Sequence, residues 1–467
     1  MEKFEKRLKL SDVYAICLGA MFSSGFFLLP GLAASETGPS VVLAYVLAAF
    51  LVLPSLMSIA ELSTAMPKAS GIFFFIDRAL GPLMSTVGGI SMWLALTFKG
   101  AFAFIGMQAY TSLFFSGDIT PYAIGLTVIF GLLNLFGAKE TAGMQKVLVA
   151  GLVIILGYFL VDAGVNTVSN SSVGEVEDGF SPFFTNGLDG IMQATAIVFV
   201  AFLGVSQLAS VAEEVKDPAR DIPRGIMYAV LTALVLMVLG VFFVVHFVEL
   251  DELSKDLSPI ATASEGAFTL IPSNWGLYLI FAAAMAAFAS TANASIMSAS
   301  RFPLAMGRDQ ILPSLFSKMN RFNTPTFSII LTVAVMVAFQ LFLSPMSVAK
   351  FASVVQLIAF ILVNCTLIVM RESKIEHYKP GFKTPFYPWM QILGIISSCL
   401  LLYYLGKRPL LISAALAIFC LLWFLFYVRN RAERKGAIFH IFHALGRHKD
   451  DKIHHDLKEI NKEKGMT

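Results

Sequence analysis

The sequence predicts an all-α polytopic membrane protein, and three observations carry that reading. Hydrophobic residues make up 57% of the chain and charged residues only 14%, with a mean hydropathy of +0.75. That is the balance of a chain solvated largely by lipid. The apolar residues fall in runs of about 20, the length that crosses a bilayer as a helix. Twelve such runs can be marked, centred near residues 23, 53, 100, 130, 153, 201, 236, 288, 334, 358, 397 and 419. Lys and Arg segregate between the two sides. With both termini on one side, about 29 of the 34 lie there, leaving Lys255, Lys350, Lys407 and Arg408 opposite and Lys99 inside a span. Cationic loops are retained in the cytoplasm during insertion, so this bias predicts cytoplasmic N- and C-termini. The expected location is the plasma membrane.

In chain order, residues 1–11 read as a charged cytoplasmic lead. No cleavable signal peptide is expected, because the first ten residues are charged and the first apolar run is too long. Residues 12–165 hold spans 1–5, and residues 166–188 an outer loop made acidic by Glu175, Glu177 and Asp178. Residues 189–371 hold spans 6–10, residues 388–430 spans 11 and 12, and residues 431–467 a charged cytoplasmic tail. Asp12 opens span 1, and Glu61 lies near the inner end of span 2. The stretch after it, with Phe73, Phe74, Phe75 and Arg78, is half polar and reads as interfacial. Lys99 in span 3 either snorkels or faces a polar interior. Span 8 is rich in alanine and serine, which lets neighbouring backbones approach. In the tail, Ile438, Phe439, Ile441, Phe442 and Leu445 form an amphipathic patch that either lies on the membrane or is solvated. Cys17, Cys365, Cys399 and Cys420 all fall within spans and read as small apolar packing residues.

Span 1 contains an anomaly. Its centre is Ser23-Ser24-Gly25, followed by Phe26, Phe27, Leu28, Leu29 and Pro30. Glycine has the most backbone entropy to lose, and serine competes for backbone hydrogen bonds. A helix broken here frees carbonyls on one side and amides on the other. Freed groups are tolerated in lipid only where protein or a polar cavity satisfies them. Such a pair of ends suits a zwitterion, with amides for a carboxylate and carbonyls for an ammonium. The competing reading is a serine–glycine packing surface. Span 6 carries a second mid-span glycine, Gly204, flanked by Phe199 and Phe202. If spans 1–5 and 6–10 are two copies, Gly25 and Gly204 occupy matching places. Five spans is an odd number, so the second copy enters the membrane upside down. Paired interruptions in inverted halves point to a site at the bilayer midplane.

These residues resemble the amino acid–polyamine–organocation (APC) transporter superfamily over about residues 8–430. The resemblance rests on four stretches in order. They are Ser23 to Pro30, Glu61-Leu62 with Pro67 to Gly71, Glu213-Glu214 with Pro218, Arg220 and Ile222-Pro223, and Ser300-Arg301 through Pro313. It implies the LeuT fold, a five-plus-five inverted repeat with two further helices. It implies a substrate carboxylate on Ser23, Ser24 and Gly25. The amino group would then meet carbonyls of Ala20, Met21, Phe199 and Ala201, beside Phe202 and Gly204. Some proton-coupled relatives carry a lysine six or seven residues after the glutamine that matches Gln145, where this chain has Gly151 and Leu152. Sodium-coupled relatives carry a set matched here by Ala287, Ser290 and Thr291, facing the carbonyls of Gly19 and Phe22. Hard cations want such oxygen ligands, although serine and threonine also pack helices. Lys99 is the alternative carrier of charge.

The expectation is a secondary active transporter that moves neutral, apolar L-amino acids by alternating access, by ion symport or by exchange. Its partners would be a small-molecule amino acid and the lipid bilayer, with no nucleic acid. The alternatives are a carrier of another small solute, such as a polyamine or an inorganic ion, and a non-transporting amino acid sensor. No cofactor is expected beyond Na+ or H+ as coupling ion. No nucleophile–base pair or histidine cluster appears within the spans, which argues against an enzyme. No phosphate-cradling glycine loop appears either, which argues against ATP-driven pumping.

Overall fold

The computed structural model describes residues 7–68, 71–137, 142–170, 179–209, 212–375, 378–431 and 437. The acidic stretch Glu175, Glu177 and Asp178 and the tail patch from Ile438 to Leu445 lie outside them. The described residues are overwhelmingly helical. Span 1 is built in pieces: α1 (Leu10–Met21), α2 (Ser24–Phe27) and α3 (Leu29–Thr37). Then come α4 (Val41–Ala65), α5 (Gly71–Leu80), α6 (Pro82–Thr111), α7 (Thr120–Leu135) and α8 (Ala142–Asn170). Span 6 comprises α9 (Gly187–Val198), a 3-10 stretch over Phe199–Leu203, and α10 (Gly204–Ala209). The chain continues through α11 (Pro218–Phe247), α12 (Leu250–Leu253), α13 (Pro259–Ala267) and α14 (Ser273–Arg308). It ends with α15 (Thr326–Phe342), α16 (Pro345–Glu372), α17 (Trp389–Tyr404) and α18 (Lys407–Trp423).

Among the described residues, nine stretches are long and apolar enough to cross a membrane, and α7, α15 and α17 are shorter apolar helices. Burial sorts them. The apolar window of α6 is 89% buried and that of the α18 stretch 11%, so α6 is an axle and α18 stands at the rim. The most extensive packing is that of α14 and α16 on α6, with α11 clasping α1 and α4. Turn chemistry sets the joints. Gly81 (φ 85°) closes α5 and hands over to Pro82, which has no amide to satisfy at a helix start.

The N-terminal face is tied by main-chain bonds. The amides of Arg7 and Leu8 donate to the Glu214 carbonyl at 3.0 Å, and the Lys216 amide donates to the Leu8 carbonyl at 2.9 Å. The lead before α1 therefore pairs with the exit of span 6. Charged side chains are committed as well. Asp12 accepts from Lys146 at 2.8 Å and from the Lys9 amide at 2.9 Å. Asp162, fully buried on α8, accepts from the Thr269 hydroxyl at 2.8 Å and the Thr269 amide at 3.2 Å.

The densest polar knot lies on the same face. Glu61, with no exposed surface, takes both arms of Arg371, the Thr384 amide at 2.7 Å and the Tyr378 hydroxyl at 3.2 Å. This fastens α4 to the end of α16 and to the segment that follows it. Arg371 further stacks on the Tyr387 ring at 4.3 Å. Removing one partner of such a pair strands a buried charge, a loss of about 3–5 kcal/mol. Arg371→Ala is therefore expected to lower the unfolding midpoint of the purified protein by several degrees. Arg371→Lys, which keeps the charge without the fork, should fall between. An unchanged midpoint for Arg371→Ala would show the knot to be dispensable.

Candidate functional site

The breaks fall near, but not at, the glycines that mark them in the sequence. In span 1 the helix stops at Met21, and Ser23 leaves helical geometry (φ −71°, ψ −110°). Gly25 lies inside the single turn α2, and a second irregularity follows at Leu28 (φ −122°, ψ −40°). Span 6 does not unwind. It tightens to 3-10 geometry over Phe199–Leu203, and Gly204 is the first residue of the resumed α-helix. The reason is steric: each glycine marks where the other span touches. A Cβ on Gly25 would lie 2.5 Å from the Ala201 Cβ, and one on Gly204 would lie 2.6 Å from the Ala20 Cβ. Real side chains do not approach so closely, so both positions need the bare backbone. The two spans thus cross at their irregular centres, glycine to alanine, twice.

Every residue expected at the site from the sequence is buried: Ala20, Met21, Ser23, Ser24, Gly25, Phe199, Ala201, Phe202 and Gly204. The same holds for Gly19, Phe22, Ala287, Ser290, Thr291 and Lys99. The freed carbonyls are claimed from all sides. Lys99 Nζ donates to the Ala20 carbonyl at 2.6 Å, so the lysine faces the interior and does not snorkel. The Tyr45 hydroxyl donates to the Gly25 carbonyl at 2.7 Å and the Tyr110 hydroxyl to the Phe27 carbonyl at 3.1 Å. Gln356 Nε2 donates to the Phe199 carbonyl at 3.3 Å. Two of the four carbonyls expected to meet a substrate ammonium, those of Ala20 and Phe199, therefore already accept from protein. Ser23 Oγ is buried with no hydrogen-bond partner.

The oxygen set of the ion reading is bridged by an amide. Gln145 Oε1 accepts from Ser290 Oγ at 2.7 Å, and Gln145 Nε2 lies against Gly19, 2.4 Å from where a Cβ would stand. Thr291 Oγ1 is buried and unpartnered. Sequence reasoning missed Tyr45, Tyr110, Gln356 and Gln145 as partners of the irregular region. For Tyr45, Tyr110 and Gln356 the one signal was polarity in an otherwise apolar run; Gln145 was marked only by the family resemblance. It also missed Gly240 on α11, whose bare backbone admits the Phe26 ring. Phe22, Phe26 and Phe27 meet in series, the first pair tilted and the second edge to face, with centroids 5.5 and 5.2 Å apart, and form an aromatic wall beside the break.

The family model described as amino acid permease matches residues 12–435, nearly the whole chain. The chain belongs to the amino acid permease family. Curated proteins to which this family member is similar include the vacuolar cationic amino acid transporter 4 of Arabidopsis thaliana. That match is 28% identical and covers 78% of the chain and 63% of the relative. The chain thus spans less than two thirds of the length of the plant transporters it matches. The branched-chain amino acid permease BcaP of Bacillus subtilis is 25% identical, with 87% of this chain and 89% of the relative covered. The methylthioribose transporter of Bacillus subtilis is 24% identical over 86% of the chain and 88% of the relative.

The contact of the two spans gives a direct test. Gly25→Ala places a methyl where the Ala201 Cβ already stands, and Gly25→Leu a whole side chain. Uptake by cells is expected to fall more than tenfold for Gly25→Ala and to vanish for Gly25→Leu, with both proteins still detected in the membrane fraction. Wild-type uptake by Gly25→Leu would show that the crossing is not the site.

Proposed function

We propose that the protein is a secondary transporter that carries a neutral, largely apolar L-amino acid across the plasma membrane by alternating access. The reading includes twelve spans in a LeuT-type arrangement, five and five inverted plus two. The observation that carries it is the crossing of spans 1 and 6 at paired irregular centres. There Ser23, Ser24 and Gly25 supply restart amides and an unpartnered hydroxyl to a carboxylate, and Met21 and Ala201 offer carbonyls to an ammonium. Phe199 and Phe202 border the place for an apolar side chain. The crossing is wholly buried, so loading requires the two spans to part, which is what an alternating-access cycle does.

The charge balance favours a neutral substrate. The relatives are named for cationic amino acids, branched-chain amino acids and methylthioribose. A cationic side chain wants a carboxylate at the site. Among the described residues, the buried acids are spoken for elsewhere: Asp12 by Lys146, Glu61 by Arg371, Asp77 by Arg78, and Asp162 by Thr269. The Lys99 side chain instead donates to the Ala20 carbonyl beside the crossing, and in its ammonium form it repels a second cation. That ammonium already faces the carbonyl end of α1, where a coupling ion would otherwise supply positive charge, so transport in this reading does not need sodium.

Two measurements test the proposal. Reconstituted in liposomes, the protein is expected to carry labelled leucine or valine across the membrane equally in sodium and potassium buffers, and lysine poorly. Binding that stabilises the protein without flux would mark a sensor instead, and a strict sodium requirement would sink the ion argument. Lys99→Met leaves the Ala20 carbonyl without its donor and removes the charge. Its flux is expected to fall at least tenfold while surface expression holds; unchanged flux would remove Lys99 from the mechanism.

A further inference from the structure

Away from the crossing, the segment after α16 encloses a second feature of a different chemistry. A cavity of about 270 Å³ opens on the N-terminal face, bordered by Arg371, Lys374, Tyr378 and Lys383, with Glu61 at its floor. Its charge is unbalanced. Glu61 and Arg371 cancel each other through their two-armed pairing. Lys374 and Lys383 are exposed and, among the described residues, have no carboxylate partner. Among the described residues, that leaves the mouth with two ammonium groups that no carboxylate pairs.

The backbone holds this mouth in an uncommon shape. Lys374 (φ 49°) and Phe386 (φ 54°) both occupy the left-handed region without being glycine. Such conformations cost free energy and persist where the surroundings enforce them. Phe386 is 80% exposed and Trp389 73%. Exposed aromatic side chains beside a span's first turn sit at the level of lipid headgroups. From Trp389 an exposed apolar stripe descends α17 through Leu393, Ile396, Leu400 and Tyr403, at the three- and four-residue spacing of one helix face. Cationic mouth, aromatic collar and apolar stripe follow one another along one segment. Basic pockets of this kind on the cytoplasmic side take anionic headgroups.

We propose that this cavity is a binding site for the phosphate of an anionic phospholipid. Lys374 and Lys383 meet the phosphate, Phe386 and Trp389 sit at the glycerol level, and an acyl chain lies along the α17 stripe. Because the floor of the cavity is the Glu61–Arg371 pair, the bound lipid reinforces the fastening of α4 to α16. The site adds a stabilising ligand, independent of which substrate the crossing carries.

The test uses the full-length protein in detergent, with its unfolding midpoint measured against added dioleoylphosphatidylglycerol, dioleoylphosphatidylcholine or inorganic phosphate. Phosphatidylglycerol is expected to raise the midpoint and phosphatidylcholine to leave it unchanged. With each lysine near an anionic headgroup contributing about fivefold in affinity, the double variant Lys374→Ala/Lys383→Ala should need roughly twentyfold more phosphatidylglycerol for the same shift. The control variant Lys407→Ala/Arg408→Ala, at the start of α18 beyond the far end of α17, should behave as wild type. The proposal is overturned if the double variant responds as wild type does, or if both variants lose the response equally. Protection by inorganic phosphate alone to the same extent would assign the cavity to a free anion and overturn the lipid.

Discussion

The interaction on which this structure depends is the supply of hydrogen-bond partners to peptide groups that a broken helix sets free inside a medium offering none. In water such groups would be solvated at no cost. In lipid each must find protein. Span 1 gives up its helical ladder at Phe22–Ser23, and the surrounding helices are arranged to answer. α4 sends Tyr45, α6 sends Lys99 and Tyr110, and α16 sends Gln356 to the facing span. These are the helices that pack closest about the centre, and their polar side chains are otherwise misplaced in apolar runs. The burial of α6 follows from the same need, since two of the four donors stand on it.

The second constraint is distance. Backbone groups of spans 1 and 6 can serve one ligand only if the spans touch, and side chains would hold them apart. Gly25 against Ala201 and Gly204 against Ala20 remove that obstacle. The exchange is reciprocal, each span giving one glycine and accepting one alanine. It is the local geometry expected if the two halves are related by a pseudo-twofold axis. Flexibility is thus not the glycines' main contribution here. Gly25 sits within a regular turn and Gly204 begins a helix.

The class of the protein was legible because it rests on composition and run length, which no packing detail can reverse. The lattice of apolar runs, the anomaly at Ser23-Ser24-Gly25 and its partner around Gly204 were legible for the same reason: they break local rules conspicuously. What escaped was pairing across the bundle. Nothing in a one-dimensional string tells Tyr45 from any other aromatic residue in a span, or says that Gln145 would lie between Gly19 and Ser290. The sequence left Lys99 open between a membrane surface and a polar interior. Only the proximity of α6 to the end of α1 decides it. The span 1 break falls inside the expected stretch, at Ser23 and not at Gly25, because glycine marks the contact it permits and the chain yields beside that contact.

One element is held at both of its ends. α16 is joined to the end of α3 by Lys350 and Glu36, 2.6 Å apart and about a fifth exposed, and to α4 by Arg371 and the fully enclosed Glu61. Two such moorings, one at each end, resist lengthwise sliding of the helix. The two are unequal. The pair near α3 is open to dissolved ions and weakens as salt rises, whereas the enclosed pair is sheltered. Added salt is therefore expected to loosen the helix at its α3 end before its α4 end.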